Sequence, residues 1–164
     1  MKPTVYLLLF LFYVGPSWAS NPDPGLRTYV KSYYEDGQMK SEGWVSSTVK
    51  DGYWKYYFPN GKIASEGHYV RNKKNGYWHF YYTNGKLKKE GHFVNDSAEK
   101  WWIFYEIAER KKSKFQYKNN MKNGYCLRYI RGALKKAEAY KNDQKVNEWT
   151  TLSSFKKDNP DFSF

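Results

Sequence analysis

The sequence predicts an all-β protein, an elongated stack of about five antiparallel β-hairpin repeats that share a single twisted sheet. Three observations predict it. The block Gly52-Tyr53-Trp54-Lys55-Tyr56-Tyr57-Phe58-Pro59-Asn60-Gly61-Lys62-Ile63 recurs 24 residues later as Gly76-Tyr77-Trp78-His79-Phe80-Tyr81-Tyr82-Thr83-Asn84-Gly85-Lys86-Leu87. A fixed period of this length is the mark of a repeat architecture. Asn-Gly and Asp-Gly sit between aromatic, strand-favouring runs, which is the strongest short-range hairpin signal. Aromatic residues make up 21% of the chain while Leu, Ile and Val are scarce. Such a chain buries rings in a thin layer more readily than it builds a thick aliphatic core.

The period extends in both directions. Glu66-Gly67-His68-Tyr69-Val70 is matched by Glu90-Gly91-His92-Phe93-Val94, and backwards by Glu42-Gly43-Trp44-Val45 after the turn Asp36-Gly37. Forwards, Lys100-Trp101-Trp102 keeps the aromatics but loses the glycines, and Ala108-Glu109 stands where Asn-Gly should be, so a reshaped turn is expected there. Gly124-Tyr125-Cys126 and Arg131-Gly132 follow, the turn arriving one residue early. Five units therefore span 28–147, the outer two degenerate as capping repeats are. Residues 148–164 are expected to supply a closing strand and a loose tail.

With Asn60-Gly61 as the two central residues of a type I′ turn, Phe58 faces Ile63, Tyr56 faces Ser65, Lys55 faces Glu66 and Trp54 faces Gly67. This register sets opposite charges across from each other at Lys55 and Glu66, and lays Trp54 over the bare backbone of Gly67, as Trp78 over Gly91. Trp54, Gly61, Gly67, Trp78, Gly85, Gly91 and Trp102 are thus the structural repeat positions. Paired residues share a face. One face carries Trp54, Tyr56, Phe58, Ile63, Tyr69 and their repeats and is expected to be buried. The other carries Tyr53, Lys55, Tyr57, Glu66, His68 and their repeats and is expected to be wet. The Asn- and Lys-rich segments 71–75, 95–97, 119–123 and 142–144 read as loops by composition.

The first residues have a separate meaning. Lys2 precedes ten apolar residues, Val5 to Val14, and Ser17 and Ala19 stand at the small-residue positions of a cleavage site. That order is a signal peptide over residues 1–19, too short to span a bilayer, followed by a linker over 20–27. No cysteine follows it for lipid attachment, so an exported protein, periplasmic or secreted, is expected.

A unit of the form G-Y-W-x-x-Y-x-x-N-G-K-x-x-x-E-G-x-Y resembles the MORN-repeat variant of bacterial proteins of the YwqK type, described as antitoxins of toxin–antitoxin pairs. The resemblance is strongest from Gly52 to Val94 and weak after Glu99. It implies a hairpin-stack fold and a protein that neutralises a cognate toxin. A repeat frame specifies function less sharply than fold.

Catalysis finds no foothold in the residues. His68, His79 and His92 are predicted on the wet face, and the equivalent His68 and His92 lie two strands apart, about 10 Å, too far to share one metal ion. Cys126 occupies the position of Trp54, Trp78 and Trp102, so it reads as an inert buried thiol. No nucleophile elbow, zinc-protease helix or phosphate loop occurs. No enzyme activity, cofactor or metal is expected.

Binding is the remaining class. The net charge of +12 favours anionic partners. Tyr57, Tyr81 and Tyr105, with His68, His92, Lys88, Lys111 and Lys112, are the candidate partner-binding residues. A protein partner with acidic character is the leading expectation. Anionic lipid or cell-wall polymer is the alternative, nucleic acid is disfavoured for an exported chain, and self-association through unpaired sheet edges is a further possibility.

Overall fold

The computed structural model describes residues 26–108 and 110–163. The expected signal peptide (1–19) and residues 20–25 of the expected linker lie outside the described residues. Eleven strands form: β1 (Arg27–Tyr33), β2 (Met39–Ser46), β3 (Val49–Tyr57), β4 (Ile63–Val70), β5 (Lys73–Tyr81), β6 (Leu87–Val94), β7 (Ser97–Glu106), β8 (Lys111–Lys118), β9 (Met121–Ile130), β10 (Ala133–Lys141) and β11 (Gln144–Trp149). They pair antiparallel, in chain order, in one unclosed sheet. The predicted hairpin stack is the fold.

The register is the predicted one in the middle of each hairpin. Trp54 pairs with Gly67, Lys55 with Glu66 and Tyr56 with Ser65, and the next unit repeats this with Trp78–Gly91 and His79–Glu90. It departs at the turn. Tyr57, not Phe58, pairs with Ile63 after a bulge. The Gly61 amide donates to the Phe58 carbonyl at 2.9 Å and the Phe58 amide donates to the Lys62 carbonyl at 2.8 Å. Gly61 has φ +76° whereas Asn60 is not left-handed. This is a three-residue loop, a type I turn closed by a glycine bulge, rather than a type I′ turn. Pro59 suits its second position, and the Asn60 side chain accepts from the Lys62 amide at 3.1 Å. Asn84 and Asp36 brace their own turns identically, at 3.0 Å each.

Two-residue turns with both φ positive occur instead in the segments expected to be loops. Arg71-Asn72, Asn95-Asp96, Asn119-Asn120 and Asn142-Asp143 are such turns, and the residues after them already belong to the next strand. The second residue of each grips the preceding hairpin twice. The Asn72 amide donates to the Lys50 carbonyl at 2.9 Å, and its side-chain oxygen accepts from the Lys50 amide at 2.7 Å. Asp96 holds Lys74, Asn120 holds Ala98 and Asp143 holds Lys122 in the same way.

The tryptophans pack one strand away from the expected place. Trp54 and Trp78 each lie between two glycines and Trp102 lies between Gly91 and Phe115. Each indole covers the earlier glycine, Trp54 over Gly43, Trp78 over Gly67 and Trp102 over Gly91. A Cβ on Gly67 would come within 2.4 Å of the Trp78 ring. Beside each contact the ladder slips by a bulge, and the indole N–H donates to a carbonyl at the slip: Trp54 to Trp44 (2.8 Å), Trp78 to His68 (3.0 Å) and Trp102 to His92 (3.1 Å). Gly76, in the second bulge, has φ +72°, while its counterpart in the third bulge is Lys100 at φ +61°. In the next strand pair the sizes exchange, since Phe115 stands at the glycine position and pairs with Cys126 at the tryptophan position. Both are buried, so volume is conserved across the swap.

The tryptophan face is buried as expected, although among the described residues no second layer of structure covers it. Lysines cap it. The Lys50 ammonium lies 4.5, 5.0 and 5.2 Å from the ring centres of Trp54, Tyr56 and Tyr69, and Lys74 lies 5.1, 5.6 and 5.2 Å from those of Trp78, Phe80 and Phe93. Their stems shield rings that would otherwise meet water, and the ammonium groups sit over π-faces.

The other face is wet only over its first two thirds. Residues after Trp149 form a helix, α1 (Leu152–Asp158), instead of a closing strand, which β11 already provides. Thr151 caps it, its side chain accepting from the Ser154 amide. Fully buried Phe155 packs with Leu127, Ala137 and Trp149, so the tyrosine face is dry at this end. The fourth hairpin, β7–β8, closes as a reshaped turn, with Glu106 paired directly to Lys111 and no slip in its ladder.

Two substitutions test the packing. Gly67→Ala should lower stability in urea unfolding by about 2–3 kcal/mol, since the new methyl and the Trp78 ring compete for one space. Lys100→Gly should raise it by about 0.5–1 kcal/mol, the relief of a left-handed lysine less the added freedom of the unfolded chain.

Candidate functional site

Six aromatic residues recur at 24-residue steps on the same face of successive odd-numbered strands: Tyr29, Tyr53, Tyr77, Trp101, Tyr125 and Trp149. They form a row across the whole sheet. At its N-terminal end each ring has an edge-on partner on the paired strand, Tyr29 with Trp44 at 5.1 Å, Tyr53 with His68 at 4.9 Å and Tyr77 with His92 at 4.9 Å. Tyr29, Trp44, Tyr53 and Tyr77 are 43%, 41%, 37% and 37% exposed, whereas Trp149 at the far end is 8% exposed beneath α1.

Behind the row runs a ladder of carboxylates. Tyr57 donates to Glu42 at 2.6 Å, Tyr81 to Glu66 at 2.7 Å and Tyr105 to Glu90 at 2.6 Å, each bond joining one hairpin to the next. Tyr53 and Tyr77 approach Glu66 and Glu90 from the other side, close enough for each carboxylate to hold its phenol in the protonated form. Glu66 therefore serves tyrosines, and no ion pair joins it to Lys55 among the described residues, although the two stand opposite each other. The Tyr57 bond, the largest influence, holds the Glu42 carboxyl below its usual range. Burial first, and the Glu66 or Glu90 carboxylate second, push Tyr53 and Tyr77 up to about 12.

This geometry redistributes the candidate residues. Tyr57, Tyr81 and Tyr105 are half-buried and spend their hydroxyl protons inside the sheet. His68 and His92 belong to the open row. Burial, with Lys100 nearby, holds the His92 imidazole below its usual range, so it is neutral at pH 7. Lys111 and Lys112, adjacent in β8, point to opposite faces. Lys112 lies 5.0 Å over Tyr129, while Lys111 lines a depression of about 370 Å³ with Glu106, Ser113, Arg128 and Lys136. Lys88 stacks 5.5 Å over Tyr82. These three lysines form no common site. Buried Cys126 has its thiol pushed up to about 12, chiefly by burial, which suppresses the nucleophilic thiolate. Tyr29, Trp44, Tyr53 and Tyr77 are the site residues that sequence reasoning passed over, and the 24-residue step itself was the signal for three of them.

Residues 29–43, 50–71 and 74–95 match the model of the MORN repeat variant. These three segments carry the MORN-variant repeat. Each matched segment falls within one odd–even hairpin, β1–β2, β3–β4 or β5–β6, and together they hold the exposed part of the row. The units outside the match are those where Lys100 replaces the bulge glycine and Phe115 with Cys126 replaces glycine with tryptophan. No curated protein matches the sequence.

The repeat tyrosines give the site a spectroscopic handle. Tyrosinate absorbance from Tyr53 and Tyr77 should appear near pH 12 instead of near 10 in an alkaline titration of the folded protein. A phenol whose pKa is raised by folding stabilises the fold below its unfolded pKa and ceases to do so above its folded one. Stability should therefore fall between about pH 10 and 12. Normal titration of both residues, followed in Tyr53→Phe and Tyr77→Phe difference spectra, would contradict the ladder.

Proposed function

We propose that the protein is a non-catalytic, exported repeat scaffold that holds a protein partner on the open aromatic row. One observation carries this reading: the face that buries Trp149 and half-buries Tyr125 against α1 leaves the equivalent Tyr29, Tyr53 and Tyr77 exposed, in three adjacent hairpins, beside Trp44, His68 and His92. Exposed tyrosine and tryptophan on a rigid frame are the residues from which binding hot spots are made. The resemblance to YwqK-type proteins supports a more specific version, in which the partner is a toxin and this chain its immunity protein.

Photo-crosslinking in the producing cell tests it. A crosslinker at position 53 or 77 should yield one discrete protein adduct, and a crosslinker at Met121 should yield none. Tyr29→Ser should reduce the adduct from position 53 at least tenfold. No adduct from either row position would end the protein-binding reading. An adduct whose partner keeps full activity in the presence of excess protein would end the immunity version alone.

The alternative, an envelope scaffold on anionic lipid or polymer, draws on a second depression of about 580 Å³ lined by Lys111, Ile130, Arg131, Ala133 and Lys135. It predicts flotation with anionic vesicles that vanishes above about 0.3 M salt, because surface charges are then screened within a few ångströms. Many of the remaining lysines cover rings of the chain itself, which leaves the row as the better supported surface.

A further inference from the structure

We infer that the open row formed by Tyr29, Tyr53 and Tyr77 receives a short amphipathic helix of the partner that presents phenylalanine-type anchors, as α1 does to the closed end of the same row. The inference rests on the protein-binding reading above and specifies the chemistry of the partner.

The chain supplies its own template. Phe155 meets Trp149 at 5.2 Å and Tyr125 at 5.4 Å, and Phe162 meets Tyr125 at 5.0 Å, with interplanar angles of 79°, 88° and 80°. Edge-on contacts of this kind are favourable beyond the area they bury. Tyr53 and Tyr77 hold the positions of Tyr125 and Trp149, on strands of the same parity and on the same face. Trp101, half-buried against the α1 cluster, links the covered and uncovered parts into one strip. Two strand spacings separate successive row residues, about 9.5 Å, close to the diameter of about 10–12 Å of a helix with its side chains.

The polar groups distinguish the two ends. Under α1, the Trp149 indole donates to Asp158 at 2.8 Å and the Tyr125 hydroxyl donates to Asn159 at 2.5 Å, so the covering segment brings acceptors with its rings. At the open end the Tyr53 and Tyr77 hydroxyls face the carboxylates of Glu66 and Glu90, which serve as their acceptors. An incoming helix therefore needs apolar anchors without acceptors, and burying it leaves no phenol unsatisfied.

The probe is a fluorescein-labelled peptide of residues 150–163, titrated against the folded, full-length protein. The expected result is saturable binding, with amide shift changes at Tyr53, His68, Tyr77 and His92. Binding should weaken at least tenfold in the Tyr53→Ser/Tyr77→Ser protein and in a peptide carrying Phe155→Ala and Phe162→Ala. The Tyr53→Phe protein, which keeps the ring, should bind as the parent does, and thermal melts of all variants check that they are folded. No peptide binding overturns the inference. Shift changes at Tyr125 and Trp149 alone, which report exchange with α1, also overturn it, as does a parent dimer that the Tyr53→Ser/Tyr77→Ser change dissociates. If the peptide fails while the position 53 crosslink persists, the partner is not helical and the protein-binding reading stands; if both fail, that reading falls too.

Discussion

Everything in this sheet depends on a tryptophan pressed against a glycine of the preceding strand. The contact is possible only because Gly43, Gly67 and Gly91 carry no side chain. It brings the indole N–H to a carbonyl at a ladder slip, so one side chain both fills the layer and satisfies the backbone where pairing is interrupted. The slip recurs in the same place in each unit, and it fixes which residues turn to which face. The exchange of glycine and tryptophan for Phe115 and Cys126 shows what the interaction requires: one large and one small side chain across the pair, in either order.

A single-layer sheet ordinarily exposes one surface of whatever it buries. Here the two faces meet the problem differently. The tryptophan face is sealed from within, by lysines whose stems and charges lie over the rings. The tyrosine face is braced by carboxylates that accept hydrogen bonds from phenols of the next hairpin, and among the described residues it is sealed by α1 at its C-terminal end alone. The uncovered stretch is thus a property of where the helix stops, since the repeat itself presents the same row throughout.

Much of this was legible in the sequence. The 24-residue step gave the sheet, and the opposition of Lys55 with Glu66 and of Trp54 with Gly67 gave the register. Residues flanked symmetrically were harder. Trp54 has a glycine on both neighbouring strands, and only the direction of the side chain decides which one it covers. Asn60-Gly61 suits a two-residue or a three-residue loop, and since Asn84-Gly85 closes the same three-residue loop with Thr83 in place of Pro59, the dipeptide alone does not announce which one forms. The tight turns at Arg71-Asn72 and its equivalents contain no glycine, so the usual sign of a left-handed pair is missing. Tyr57, Tyr81 and Tyr105 looked like surface residues because their acceptors lie 15 positions earlier, on another hairpin. Thr151 announces a helix by its cap, yet seven residues are too few for a periodic pattern to show.

The paired hydrogen bonds at the asparagine and aspartate turns run in one direction. Asn72 reaches back to Lys50, Asp96 to Lys74, Asn120 to Ala98 and Asp143 to Lys122, so the later hairpin always supplies the grip and the earlier one supplies the hold. A chain leaving the ribosome or a translocation channel amino end first offers each new hairpin a finished neighbour to fasten to. Construction can thus keep pace with emergence, and the terminal helix, which needs β9, β10 and β11 beneath it, is the last piece laid.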